Sequence, residues 1–186
     1  MSILSSPAHA PACCQHAENG YAPGLNGDEC CHACNRRDTP MPSPDTLKSI
    51  LTRFIATVWD DGDVDTARPW LGDTYTVHHD PGDPWDGMVL DFAGFKDRVI
   101  RSRAAFPDQR FDLQHVFADQ GAVSVTWLWA ATHRGDLPGF RASGQTIRMS
   151  GATVYLFEGE RITGHWQIAD RLGVYQQLQR HAAGGQ

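Results

Sequence analysis

Between residues 111 and 170 apolar side chains recur at every second position through successive runs, and this period-two pattern constrains the fold more than any other feature of the chain. Phe111, Leu113, His115 and Phe117 alternate with polar partners and stop at the turn signal Asp119-Gln120-Gly121. Val123, Val125, Trp127, Trp129, Ala131 and His133 share one face of the next strand, and Ile147, Met149, Gly151, Thr153, Tyr155 and Phe157 share one face of another. Glu158-Gly159-Glu160 turns the chain into a last strand with Ile162, Trp166, Ile168 and Asp170 on one side, and Leu172 to Arg180 reads as a closing helix.

Upstream the period changes to that of a helix. Ser43 is placed to cap a helix that has Pro44 at its first position, and Leu47, Ile50, Leu51, Phe54, Ile55, Val58 and Trp59 then recur at three- and four-residue spacing until Asp60, Asp61 and Gly62 stop them. A short helical stretch follows around Val64 to Trp70, then a short strand in which Tyr75, Val77 and His79 alternate with Thr74, Thr76 and His78. Phe92, Phe95, Val99 and Ile100 define a further helix, ended near Phe106-Pro107. Helices first and then a mostly antiparallel meander is an α+β arrangement with the helices on one face of the sheet.

All five cysteines lie in the first 34 residues and all six tryptophans after residue 58, which divides the chain. Residues 1–44, rich in Pro, Ala, Gly, Cys and His and without periodicity, read as an unstructured tail; residues 45–181 read as the folded domain and 182–186 as a disordered end. Met41 directly precedes the capped helix and offers an alternative start of the chain. In the tail, Cys14, His16, Cys31 and Cys34 are metal-ligand candidates of the kind zinc or copper takes, Cys31 and Cys34 having the two-residue gap of many zinc sites. The formal net charge of −6 argues against nucleic acid and against a polybasic membrane patch. Absence of a long apolar run or an apolar leader gives the expectation of a cytoplasmic protein.

Chemistry is expected where ionisable groups interrupt apolar strand faces. His79, His133 and Asp170 do so, and if those faces line one cavity the three converge in it. Asp170 reads in two ways: as a carboxylate whose burial beside Trp166 strengthens it as a base, or as the cap of the helix entered through Arg171 and Leu172. His78 and His165 have the opposite parity and are left outside the pocket. Tyr75, Trp127, Trp129, Met149, Tyr155 and Trp166 are expected as pocket wall or core. No phosphate loop or nucleophile elbow occurs, and the reading calls for no cofactor.

An ordered set of short motifs resembles the SnoaL-like polyketide cyclases, also called ester cyclases, of the nuclear-transport-factor-2-like superfamily. The pieces are Val58-Trp59-Asp60-Asp61-Gly62-Asp63, Tyr75 to Pro81, Phe106-Pro107-Asp108, Thr132-His133-Arg134-Gly135, Gly139 to Gly144, Ser150-Gly151, and His165-Trp166-Gln167-Ile168-Ala169-Asp170-Arg171-Leu172-Gly173. The resemblance implies a cone-like fold, a curved sheet wrapped around helices with a pocket between them. It also implies a cofactor-independent cyclase or isomerase acting on a carbonyl-rich, polyketide-like small molecule. Asp170 would be its acid/base, removing an α-proton for an aldol-type ring closure, with His133 and His79 orienting substrate or donating to an oxyanion. Pairing as a homodimer is implied too, through the outer sheet face that carries Ser124, Thr126, Leu128, Ala130 and Thr132. Readings that stay open are a non-catalytic binding or dimerisation module of the same fold, an epoxide hydrolase using a carboxylate pair bridged by Arg, and a cofactor-free oxygenase.

Overall fold

The computed structural model describes residues 42–184. Ser43 caps helix α1 (Pro44–Phe54) by accepting the Thr46 N–H on its hydroxyl, as its position before Pro44 predicts. The apolar run continues past α1 as a π-helical turn over Ile55–Asp60, and the wider turn buries both Val58 and Trp59. A 3-10 turn (Val64–Trp70) leads into β1 (Leu71–His79), which is followed by a short β2 (Val89–Leu90) and α2 (Phe92–Ala104). Strands β3 (Arg110–Asp119), β4 (Ala122–Thr132), β5 (Thr146–Glu158) and β6 (Arg161–Ala169) precede α3 (Arg171–Gly184).

The strands form one curved, unclosed sheet in the order β2-β1-β6-β5-β4-β3, antiparallel except for the parallel β1–β6 pair. This is the α+β architecture expected from the two periodicities. The inner face buries Val123, Val125, Trp127, Trp129, Ile147, Tyr155 and Phe157 against α1 and α2, where Leu47, Leu51, Phe54, Phe95 and Val99 have no more than 1% exposure. Phe95 is the hub of the aromatic packing, 4.9 Å from Tyr75 and 6.0 Å from Phe54 between ring centroids. Each such fully buried side chain contributes about 1.5–3 kcal/mol. In α2 the inward stripe is Phe95, Arg98 and Val99, whereas Ile100, expected with the apolar set, is 55% exposed because it lies off the three- and four-residue spacing from Phe95. Among the described residues no helix is long and apolar enough to cross a membrane.

β-Bulges in β3, β6 and β1 decide which side chains face inward. In β3 two residues step from Leu113 to His115 while β4 steps only from Trp127 to Thr126, so His115 and Phe117 emerge on the outer face with Thr126 and Ser124. In β6 Thr163 is the extra residue between the pairs Phe157–Ile162 and Leu156–Gly164. In β1 His78 is the extra one between Val77–His165 and His79–Trp166. Glycine is required at 164, where a Cβ would lie 2.3 Å from the Thr76 carbonyl. The expected single faces of β1, β3 and β6 are thereby corrected: Ile162 is inside but Trp166 and Ile168 are outside, and Val77 is inside but His79 is outside.

Candidate functional site

A cavity of about 500 Å³ lies between the sheet and the helices. Its apolar wall includes Trp59, Phe106, Trp127, Trp129, Met149 and Tyr155. Gln109, buried at the start of β3, clamps this wall: its Nε2 donates to the Trp59 carbonyl at 2.8 Å and its Oε1 accepts from the Trp129 indole at 3.3 Å. A volume of this size with aromatic walls suits a small organic ligand.

One end of the cavity is polar. Asp80 follows β1, and the inward turn after the His78 bulge leaves its side chain 1% exposed. Four donors or cations surround its carboxylate: Arg171 Nη2 at 2.6 Å on Oδ1, with Gln167 Nε2 at 3.1 Å, Arg98 Nη2 at 3.2 Å and His165 Nε2 at 3.5 Å on Oδ2, while its backbone N–H donates to Asp86 Oδ1 at 2.6 Å. Arg98 also reaches Asp83 Oδ2 at 3.1 Å, so it bridges two carboxylates, and Arg171 lies 3.7 Å from the same oxygen. Two guanidinium groups balance two carboxylates, which is the condition under which buried charge is tolerated. Beside them Tyr75 Oη and His165 Nδ1 are hydrogen-bonded at 2.8 Å. Arg98 comes from α2, Arg171 from α3, His165 and Gln167 from β6 and Tyr75 from β1, so no single segment contains the site.

Burial alone would raise the Asp80 pKa, but the facing imidazole of His165 at 3.5 Å and the charges of Arg171 and Arg98 outweigh it and hold the carboxyl well below the usual range. His165 is shifted down, by burial first and by the Arg98 charge, against the opposing pull of Asp80, so its imidazole is neutral at neutral pH. Burial and the neighbouring Tyr155 push the Tyr75 phenol well above its ordinary value.

The expected trio does not converge. None of Asp170, His133 and His79 lines the cavity. Asp170 is exposed and accepts the Gly173 N–H on Oδ1 at 2.8 Å, the geometry of a helix cap, because the Thr163 bulge turns its end of β6 away from the interior. His79 stacks on the outward Trp166 with ring centroids 4.5 Å apart. His133 does face inward and is 1% exposed, but it sits at the far end of β4, its Nδ1 3.3 Å from Ser143 Oγ and its ring beside Phe106. Of the expected wall, Tyr75, Trp127, Trp129, Met149 and Tyr155 line the cavity; Trp166 is 42% exposed on the other face. His165, assigned outside by parity, is inside for the same reason that Trp166 is out. Asp80 and Arg171 lie within the motifs that carry the resemblance, but Asp80 stands beyond the alternation of β1 and so has no parity to read.

The capping geometry makes a prediction. Asp170→Asn should leave the urea unfolding midpoint close to that of the parent, since Asn caps as well as Asp, and Asp170→Ala should cost about 1 kcal/mol. Equal stability of all three chains would remove the cap.

Among the described residues no group of three or more His, Cys, Asp or Glu side chains is placed to hold a metal. The tail candidates Cys14, His16, Cys31 and Cys34 lie outside the described residues.

The comparisons with known proteins agree with the geometry. The family model for SnoaL-like polyketide cyclase matches residues 49–178. A candidate polyketide cyclase from Acidithiobacillus ferrooxidans, known from its crystal structure, is 57% identical over 76% of this chain and 99% of its own, with a TM-score of 0.72. IdmH, a candidate polyketide cyclase from Streptomyces antibioticus, shares the fold at 21% identity, covering 71% of this chain and 98% of its own with a TM-score of 0.60. AclR, a candidate hydroxylase from Streptomyces galilaeus, shares it at 18% identity, covering 74% and 87% with a TM-score of 0.61. No curated protein matches the chain in sequence. A family match across most of the folded region, joined to a near-full-length likeness at high identity, means that the chain belongs to the SnoaL-like polyketide cyclase family.

Proposed function

We propose that this protein is a cyclase-type enzyme that withdraws a proton from a carbonyl-activated carbon of a polyketide-like chain and returns one to the oxygen created as the chain closes into a ring. The observation that carries the reading is the buried His165–Tyr75 pair at the wall of an aromatic cavity, with the buried Asp80 carboxylate 3.5 Å from His165 Nε2. A neutral imidazole takes up a proton at neutral pH, and the adjacent carboxylate stabilises the cation that results. The aromatic walls fold an extended, carbonyl-rich chain so that its reacting carbons meet, which is where an intramolecular reaction gains most. The reading is tested by supplying linear carbonyl-rich compounds and following ring closure by NMR. Compounds that bind in the cavity and stay linear would favour the binding-module alternative.

One observation favours a second reading. Asp80 and Asp83 are bridged by Arg98, the arrangement expected of an epoxide hydrolase in this superfamily. Acid-assisted opening of an epoxide requires one of the pair protonated, whereas Asp80 is held ionised and Asp83 is paired with both arginines. Cyclisation therefore fits the electrostatics better. Diol formation from a simple aryl epoxide such as styrene oxide would reverse that order.

The outer sheet face supports pairing of two copies. Phe117, Leu128, Trp166 and Ile168 lie on it with exposures of 67%, 49%, 42% and 57%, beside the small residues Ser124, Thr126 and Ala130. Exposed apolar side chains gathered on one face mark an interaction surface. Sedimentation at micromolar concentration should give a dimer, and Trp166→Glu should shift it to monomer; a monomeric parent would end the proposal.

A further inference from the structure

A one-way chain of hydrogen bonds enters the polar cluster from the sheet. An indole N–H can only donate, and that of Trp127 donates to Thr153 Oγ1 at 2.9 Å. Thr153 then donates its single proton to Gln167 Oε1 at 2.7 Å, which turns the amide nitrogen of Gln167 toward Asp80 Oδ2 at 3.1 Å. The strand register prepares this path. Trp127 stands opposite Gly151, where a Cβ would lie 2.4 Å from the indole, so glycine lets the ring lie across β5 and reach Thr153. Thr153 in turn stands opposite Gln167 in the β5–β6 pairing.

The polarity then propagates. Asp80 receives Gln167, Arg98 and Arg171 and is an acceptor on both oxygens. His165 Nε2, 3.5 Å from Oδ2, must present its N–H there, because a lone pair would face lone pairs. In the neutral ring Nδ1 is then the bare nitrogen, so the 2.8 Å bond between it and Tyr75 is donated by the phenol. Tyr75 is 2% exposed and lines the cavity, and with its O–H engaged by His165 its oxygen has only lone pairs left for a ligand that reaches it.

We propose that Tyr75 is the catalytic residue that takes the proton from the substrate, with His165 and the ionised Asp80 setting the polarity of the relay and Trp127, Thr153 and Gln167 as positioning residues that hold Asp80 Oδ2 in place before His165. This rests on the cyclase-type reading and names its base. In the first step the substrate C–H bond breaks, its proton goes to Tyr75 Oη, and the phenolic proton moves to His165 Nδ1. The electron pair stays on the substrate as an enolate, and the imidazolium faces the Asp80 carboxylate. The enolate carbon then attacks a carbonyl of the same chain. The new alkoxide takes the Tyr75 proton, His165 returns its own to Tyr75, and the protein ends as it began.

The test uses the full chain labelled with 15N-histidine, with the His165 signals assigned by their loss in His165→Gln, and ethyl benzoylacetate as a carbon acid whose α-protons exchange with deuterium oxide. The expected results are a bare Nδ1 and a protonated Nε2 in the ligand-free protein, and accelerated exchange by the parent. Tyr75→Phe should slow the protein-catalysed exchange about a hundredfold or more without changing ester binding more than a few-fold. Thr153→Val should blur the single tautomer and slow exchange, and Thr153→Ser should restore both; a Thr153→Val chain with parental tautomer and rate overturns the positioning role. A protonated Nδ1 overturns the polarity and with it the proposal. The expected tautomer with Tyr75→Phe exchanging at the parental rate overturns Tyr75 as the base and leaves the cyclase-type reading standing. A parent that binds the ester without accelerating exchange overturns both.

Discussion

Asp80→Ala is expected to destabilise the fold by about 3–5 kcal/mol at neutral pH, the scale measured when one member of a buried ion pair is removed. Arg98, whose side chain is 5% exposed, would keep only Asp83, and Gln167 and His165 would lose their acceptor. Asp80→Asn retains the volume and one acceptor oxygen and should fall between parent and Ala. The acid dependence has a defined sign. Because the folded Asp80 pKa lies below its ordinary value of 3.8, its contribution is complete above that pH and is lost as the pH falls through the folded value. His165 acts in the same direction at higher pH. Its folded pKa is below 6.5, so under about pH 6.5 the unfolded chain takes up a proton that the folded chain refuses, and stability declines. Urea unfolding from pH 7 downward should therefore show a loss beginning near pH 6.5 that is weaker in His165→Gln, and a lower limb missing from Asp80→Ala. A Asp80→Ala chain of parental stability would refute the ion network.

Turnover should fall by two to four orders of magnitude in His165→Gln, because a positioned proton acceptor is lost while the shape of the cavity is nearly kept. The depressed His165 pKa sets the pH profile: kcat/KM should hold at its neutral value to lower pH than an ordinary imidazole would allow, then fall on an acid limb below pH 6.5 that His165→Gln lacks. His79→Ala should stay within a few-fold of the parent, since its ring lies on the outer face against Trp166. If His79→Ala lost activity as deeply as His165→Gln, the cavity end around Asp80 would not be the reacting end.

The sequence by itself determined the α+β class, the helix cap at Ser43, the extent of β4 and β5 and their inward faces, and five members of the cavity wall: Tyr75, Trp127, Trp129, Met149 and Tyr155. Where strand pairing is regular, as between β4 and β5, a period of two carries from one residue to the next without error and inward faces can be read by counting. Only the tertiary structure decided the polar site. One extra residue in a strand reverses every side chain beyond it, and nothing in the local sequence marks His78 or Thr163 as that residue, because a bulge exists only relative to the partner strand. Those two residues bring His165 to the cavity in place of Trp166 and bury Asp80, in place of His79, beside its polar end. Arg98 and Arg171 arrive from helices 73 residues apart in sequence, and their shared target becomes visible only when the sheet brings β1 beside β6.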